Sequence, residues 1–360
     1  MNIQKKFLQL TSMTYPHGTE NGLLNQLPVG YQKDEHGNFY LEIGTKPTTM
    51  FTCHLDTADR KQEKVKHILE GNIIKSDGYT ILGADDKAGM TIILYMIEKN
   101  IPGLYYFFIG EERGCVGSSR LSRVWDNTEF SKYITKCVSF DRRGTDSVIT
   151  EQFHGECCSN EFAKELSNRL NQVDVNFNYR PDPTGIYTDS AQFTNLITEC
   201  TNISVGYYNE HTCSERQDIL HLKRLADAVC KIDWETLPIV GPSGDVYGYE
   251  DYNWPVDDFD SESELEWSQD NYSFFRTESG TSSKMFIAKT QIDNESSLIS
   301  QWMSSQGLYP GFKSVVWNGN SLYVEGNSGQ FEYLAERIEL CDMIPELSEV
   351  PEVFVKKSIN

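Results

Sequence analysis

The sequence predicts an α/β fold: a three-layer αβα sandwich around a mixed, mostly parallel central sheet, followed by a small C-terminal α+β module. Three observations carry this. A helix-like stretch, Lys87 to Glu98, is cut off by Pro102-Gly103 and followed by the apolar run Leu104 to Ile109, which is too short for an ordinary helix. Alternation of this kind places helices on both faces of a sheet. Acidic and histidine residues also stand where apolar runs end, and in open α/β sheets the carboxyl ends of strands form the ligand crevice.

Each element has its own signal. Phe7, Leu8 and Leu10 predict a short amphipathic helix within Ile3 to Met13. Gly30 to Ile43 alternates about turn residues at Asp34 and His36-Gly37-Asn38, and Val65 to Lys75 about Glu70-Gly71-Asn72, so both predict hairpins. Thr48 to Cys53 and Cys137 to Phe140 are strand-like. In Lys87 to Glu98 the apolar face is Ile92, Ile93, Met96 and Ile97, while aromatic Leu104 to Ile109 predicts a strand buried on both faces. Further on, Glu161 to Leu170 predicts a helix, Val173 to Tyr179 a strand by alternation, Ile203 to Tyr207 a last short strand, and Leu222 to Trp234 a closing helix.

This assigns residues 1–238 to one catalytic domain. Residues 239–283, rich in Asp, Glu, Ser, Gly and Tyr without periodicity, predict an acidic irregular linker. Residues 284–360 predict the α+β module, of unassigned role. Its strands fall at Met285 to Lys289, Ser314 to Trp317 and Leu322 to Val324, and its helices at Glu295 to Ser305 and Gly329 to Ile338.

Composition narrows the function classes. A net charge of −21 over 360 residues argues against wholesale nucleic-acid binding, which needs clustered Lys and Arg. No apolar stretch of about 18 residues is present to span a membrane. Nine cysteines, an odd number at irregular spacing, do not read as a disulfide framework, and Cys53, Cys137 and Cys200 sit in apolar segments as packing thiols. With an amino terminus lacking an apolar signal core, the expected compartment is the cytoplasm.

The candidate chemistry lies in His54 with Asp56, the pair Asp85-Asp86, the pair Glu111-Glu112, Asp141 and His211. Two imidazoles and several carboxylates, with no CxxC pair among them, suit a catalytic divalent metal site, Zn²⁺ or else Mn²⁺ or Co²⁺. His54 and Asp56 project to one side of an extended chain, so Asp56 is placed to take the second imidazole N–H of a metal-bound His54. Alone, that pair reads equally as a surface loop. Asp85-Asp86 reads as favourable first-turn charges on a helix, or as a carboxylate shared by two cations at a glycine-flanked crevice. Glu111 and Glu112 can divide labour, one binding metal and the other moving a proton. In Thr184 to Gln192, Asp189 is expected to be a helix N-cap in preference to a specificity residue. Arg142 and Arg143 read as substrate-carboxylate contacts or as ordinary surface arginines.

Together, TCHLDTA at 52–58, ILGADDKAGM at 81–90, FIGEERGCVGS at 108–118 and FDRRG at 140–144 resemble the co-catalytic dinuclear zinc exopeptidases of the M20, M28 and M42 clan. The local match is nearest to the peptidase T-like tripeptidases of M20, over roughly residues 1–237. The resemblance implies two metal ions bridged by Asp85. His54 and Asp141 would complete one site, Glu112 and His211 the other, with Glu111 as general base, Asp56 orienting His54, and a cis Asp85-Asp86 peptide. It implies a metallo-exopeptidase acting on small peptides, as an aminopeptidase or tripeptidase. The alternatives are an M20-like deacylase of N-acyl amino acids or related amides, and a catalytically silent binding protein. One departure concerns the lid domain that M20 enzymes carry between the counterparts of Asp141 and His211. Only 69 residues lie there, a length that suits M28-type cores, so no lid residues are carried over. Oligomeric state is left open.

Overall fold

In a computed structural model of the chain, the described residues are 1–59, 61–152 and 155–242, with the backbone of four further strands between 273 and 326. The chain divides into two compact units, Met1–Gly248 and Tyr249–Asn360. The first is built on an eight-stranded sheet in the order Gln32–Lys33, Phe39–Ile43, Gly103–Phe108, Thr49–His54, Lys136–Arg142, Glu199–Ser204, Ser147–Ile149, Arg180–Asp182. The four strands from Gly103–Phe108 to Glu199–Ser204 run parallel, and both flanks join them through antiparallel pairings.

Alternation along the central strands creates two apolar layers. Phe51, Tyr105, Phe107, Val138 and Phe140 face one layer, while Met50, Leu104, Tyr106 and Phe108 face the other with Trp125 and Phe193. Both faces are covered, so every residue of Thr49–His54, Gly103–Phe108 and Glu199–Ser204 is buried. Five helices are present among the described residues: α1 Ile3–Leu10, α2 Ala84–Glu98, α3 Val116–Ser122, α4 Asn160–Val173 and α5 Ile219–Val229. α2 lies on Thr49–His54 and Lys136–Arg142 and packs against α1 and α5. It is buried nearly all round, which explains its weakly amphipathic sequence. Gly89 permits that approach: a Cβ there would lie 2.3 Å from the Phe140 carbonyl oxygen and 2.6 Å from an Asp86 carboxylate oxygen. α3 and the short turn Asp189–Phe193 pack together, the turn also meeting the central strands.

A second, antiparallel sheet has the order Tyr207–Tyr208, Arg216–Asp218, Ile73–Lys75, Ile68–Glu70. Gln217 pairs with Ile74, so the segment following His211 is fixed beside the segment leading to Asp85. At the far end of the unit, the buried Glu199 carboxylate accepts hydrogen bonds from Ser159 N (2.7 Å), Ser159 Oγ (2.8 Å), Val240 N (2.7 Å) and Gly241 N (2.8 Å). The core expected to end near Pro238 therefore holds its chain as far as Gly241.

The two expected hairpins, the central strands and the four helices expected in this unit are present, the last of them spanning Ile219–Val229, and the sandwich is the fold. Two expectations fail. Val173 to Tyr179 is not a strand: α4 continues to Val173, and Asp174 then takes Asn176 N on its carboxylate and Phe177 N on its carbonyl, making a turn with Val175 exposed. The strand comes later, at Arg180–Asp182. Ile203 to Tyr207 is likewise split. Glu199–Ser204 belongs to the main sheet, Gly206 turns at φ +96°, and Tyr207–Tyr208 enters the second sheet.

The second unit contributes an antiparallel sheet in the order Ser273–Phe274, Ser314–Asn318, Ser321–Gly326, Ser283–Ala288. Its three longer strands fall on the three expected from sequence. The expected helices Glu295 to Ser305 and Gly329 to Ile338, and most of the expected linker, lie outside the described residues. No described helix is long and apolar enough to cross a membrane.

Candidate metal centre

The sheet brings the separated acids and histidines to one place. His54 ends the strand Thr49–His54, Asp141 lies at the end of the neighbouring strand, and Glu111 and Glu112 follow Gly103–Phe108 on the short turn Glu111–Arg113. Gly110 and Gly114 bound that turn, both left-handed at φ +65° and +89°. Asp85 and Asp86 open α2 across a cis peptide bond, as the motif resemblance implies. His211 arrives from the loop after Tyr207–Tyr208, with its own backbone left-handed at φ +64°.

Asp85 stands at the centre. Its Oδ1 lies 3.0 Å from His54 Nε2 and its Oδ2 3.1 Å from His211 Nε2. His54 Nε2 is also 3.7 Å from Asp141 Oδ1 and 3.9 Å from Glu111 Oε2, and His211 Nε2 is 3.1 Å from Glu112 Oε1. Two close triads result, His54–Asp85–Asp141 and Asp85–Glu112–His211, sharing Asp85. All eight residues singled out from sequence lie in or beside this cluster.

The surroundings explain how each is held. Asp56, fully buried, accepts from Glu111 N (3.0 Å) and Glu112 N (3.1 Å), so it fixes the glutamate turn. His54 Nδ1 lies closer to the Asp56 carbonyl (3.1 Å) than to its carboxylate (3.5 Å). Asp86 Oδ1 accepts from Gly89 N at 2.9 Å within α2 and its Oδ2 from His54 N at 3.3 Å, a supporting place outside both triads. Lys87 is wholly buried and donates to the carbonyls of Leu55 (2.6 Å) and Asp56 (3.2 Å). Asp141 is pinned four ways. Its N–H donates to Asn202 Oδ1 (2.9 Å) and its carbonyl accepts from Asn202 Nδ2 (2.7 Å), while its carboxylate accepts from Thr188 Oγ1 (2.6 Å) and Tyr207 OH (3.1 Å).

Electrostatically the cluster calls for cations. Burial disfavours a charged His54, yet the carboxylates of Asp141, Asp56 and Asp85 overcome it and hold the imidazole well above its ordinary value. Burial pushes Asp141 up to about 6, with Asp85 adding to it, and pushes Glu111 well above the usual carboxylate range. Glu112 Oε1 is buried, with His211 Nε2 3.1 Å away. An imidazole nitrogen with carboxylate oxygens of Asp85 and Glu112 both at 3.1 Å fits a shared divalent ion, and the N/O donor set suits Zn²⁺, Mn²⁺ or Co²⁺.

Some residues differ from expectation. Asp189 is not an N-cap: Thr188 holds that position without a capping bond, and Asp189 accepts from Ser118 Oγ at 2.5 Å instead. Burial pushes its carboxyl up to about 8. Arg142 donates to the carbonyl (2.8 Å) and hydroxyl (3.2 Å) of Thr184, and Arg143 pairs with Glu210 at 3.0 Å, so each is engaged by the chain itself. Lys87, Thr188, Asn202, Tyr207 and Glu215 were not foreseen as parts of the site. Glu215 is fully buried and accepts from Leu82 N (2.8 Å), Gly83 N (2.7 Å) and Asp85 N (3.0 Å). Burial pushes its carboxyl up to about 8, against which these amides favour the charged form.

A mixed, largely parallel sheet with a carboxylate-and-histidine cluster at its strand ends defines the class of zinc exopeptidase-like folds. Residues 40–241, more than half of the chain, match peptidase family M28, and the chain belongs to that family. Solved structures that share the fold include two peptidases. The aminopeptidase PepT of Bacillus cereus ATCC 10987 has 16% identity and a TM-score of 0.52, over 63% of this chain and 96% of that one. A tripeptidase (SAV1512) of Staphylococcus aureus subsp. aureus mu50 has 17% identity and a TM-score of 0.52, with the same coverages. Uncharacterized protein YqjE of Bacillus subtilis (strain 168) is 44% identical over 89 residues, 22% of this chain. The match spans about a quarter of that relative's length (24%).

Proposed function

We propose that the first unit is a metal-dependent exopeptidase that hydrolyses peptide bonds of small peptides, as an aminopeptidase or tripeptidase. The observation that carries this is Asp85, whose two carboxylate oxygens face two different imidazoles at 3.0 and 3.1 Å. That is the arrangement of a carboxylate shared between two ions. His54 and Asp141 would hold one and Glu112 and His211 the other, with Zn²⁺ the expected metal. Two such ions supply Lewis-acid polarisation of the scissile carbonyl and lower the pKa of water.

The chain's own groups do the rest. Glu111 lies outside both Asp85-sharing triads yet within 3.9 Å of His54 Nε2, where its carboxylate can take the proton of the attacking water and pass it to the leaving amine. Asp56 sets the direction of Glu111 by holding the amides of Glu111 and Glu112. Lys87 holds the Leu55 and Asp56 carbonyls and so the loop after His54. We assign the catalytic domain, expected over residues 1–238, to 1–241 on the Glu199 tether, with the linker following to 283 and 284–360 as a separate module.

Metal analysis joined to digestion of a peptide library tests cofactor and substrate together. Purified protein should carry up to two divalent ions, release amino acids from peptides with a free amino terminus, and stop doing so in chelator. Release from N-acylated substrates alone would identify a deacylase, and metal-independent hydrolysis would sink the metal assignment.

A further inference from the structure

We propose that Glu215 is a positioning residue that sets the spacing between Asp85 and His211, and through it the affinity of the second metal site. The inference rests on the assignment of Asp85 and His211 as metal ligands.

Glu215 follows His211 by four residues on the same loop, yet its carboxylate reaches across to the segment that ends in Asp85. One oxygen accepts from Leu82 N at 2.8 Å and Gly83 N at 2.7 Å, the other from Asp85 N at 3.0 Å. The side chain is wholly buried, so water cannot substitute for it. Its own backbone is tied back into the loop by Glu215 N to Thr212 O at 3.0 Å. Beyond it, Arg216–Asp218 pairs with Ile73–Lys75. The Asp85 segment and the His211 loop are thus joined by a strand pair, by Ser76 Oγ donating to the Cys213 carbonyl at 3.3 Å, and by this carboxylate.

The His211 loop does not keep its shape through local preference, and the Asp85 segment turns on a glycine that holds no single shape by itself. His211 has a left-handed backbone at φ +64°, unusual for histidine, and Gly83 lies at φ +71° with a Cβ position only 3.1 Å from Thr57 Cγ2. External fastening has to hold them, and Glu215 supplies it at the residue bearing the shared ligand. A glutamine at 215 offers one acceptor oxygen and an NH₂ group, so at least one of the three amides would face a donor. The loop would then relax and the Asp85 to His211 separation would drift.

The test uses the full chain, freed of metal and titrated with Co²⁺, with the visible Co²⁺ spectrum and a chelator competition as readouts. Glu215→Gln should bind one of two Co²⁺ equivalents at least about tenfold more weakly, within the range seen when a ligand's supporting partner is lost. Its Co²⁺ band should also be altered, and excess Co²⁺ should restore binding. Glu199→Gln serves as the comparison, since Glu199 is an equally buried carboxylate with four donors on other elements. It should lower thermal stability while leaving both Co²⁺ affinities unchanged. If Glu215→Gln does not fold, Glu215→Asp, which keeps the charge but shortens the reach, should show the same selective weakening. Wild-type Co²⁺ affinities in a destabilised Glu215 variant would overturn the inference and leave the metal assignment standing. Absence of Co²⁺ uptake by the wild-type protein would overturn both.

Discussion

His54 and Asp141 are held by the main sheet, whereas Glu112 and His211 are held by turns. The first two stand at the ends of adjacent parallel strands whose register runs from Thr49 opposite Lys136 to Thr52 opposite Ser139, so ladder hydrogen bonds fix their spacing. Glu112 sits between left-handed glycines and His211 is itself left-handed, and both depend on buried carboxylates that reach backbone amides. The contrast teaches that one half of the cluster inherits its geometry from the fold. The other half is built by side chains.

Asp85 joins the halves, so its loss should have the largest effect. Asp85→Ala should weaken metal binding at both sites by more than about 100-fold, exceeding the ~10–100-fold typical of losing a ligand's supporting partner. Competition with a chromophoric chelator measures this. Two ions bound at wild-type affinity would mean that no carboxylate is shared.

The adjacent glutamates sharpen the comparison within the turn half. Glu111→Gln should leave metal content normal and lower kcat by about 10² to 10⁴-fold, the span of general acid–base catalysis. Glu112→Gln should instead lose metal affinity and recover part of its activity in excess Zn²⁺. Exchanged phenotypes would reverse the two roles.

A smaller effect should appear with pH. His221 lies behind the segment carrying His211, its Cδ2 3.0 Å from where a Gly206 Cβ would stand. Tyr179 OH donates to Ser204 O at 2.6 Å, which leaves its lone pairs for the His221 Nε2–H at 2.8 Å. Burial holds the His221 imidazole down at about 4, against 6.5 unperturbed, with Asp218 and Asp146 raising it and Arg224 lowering it. A depressed histidine gives stability that is complete above pH 6.5 and lost as pH falls toward 4, because the unfolded chain binds the proton first. The loss should approach about 3 kcal/mol and be absent in His221→Gln. Denaturant titrations across that range measure it. An equal acid loss in the variant would place the weakness elsewhere.

The strand-held half was the readable half. Apolar runs ending in His54 and Asp141 signal both a strand and its exposed end, so element and site emerge together. Asp85, the two glutamates and His211 stood among the candidates too, but their division into ligands and base came from the motif resemblance, since acids before a helix or on a turn have ordinary explanations. Glu215 left no periodic trace: it is one acid in the polar run Asn209 to Glu215, and only its spacing from His211 hints at a partnership. Asp189 misled because an acid ahead of an Ala-Gln-Phe stretch looks like a cap, while in the fold a long-range hydroxyl from Ser118 claims it. Val173 to Tyr179 misled because apolar-polar alternation also describes a turn closed by Asp174. α3 went unseen because Gly and Ser make up four of its seven residues and are weak helix formers.

The four donors gathered on Glu199 set where the chain can be cut. Ending a fragment at Pro238 would strip Val240 and Gly241 from a buried anion and leave two of its hydrogen bonds unmade in the interior. A fragment ending at or beyond 242 keeps all four donors. The last turns of the first unit behave as its fastening, and protein engineers who wish to separate the two units should place the boundary after them.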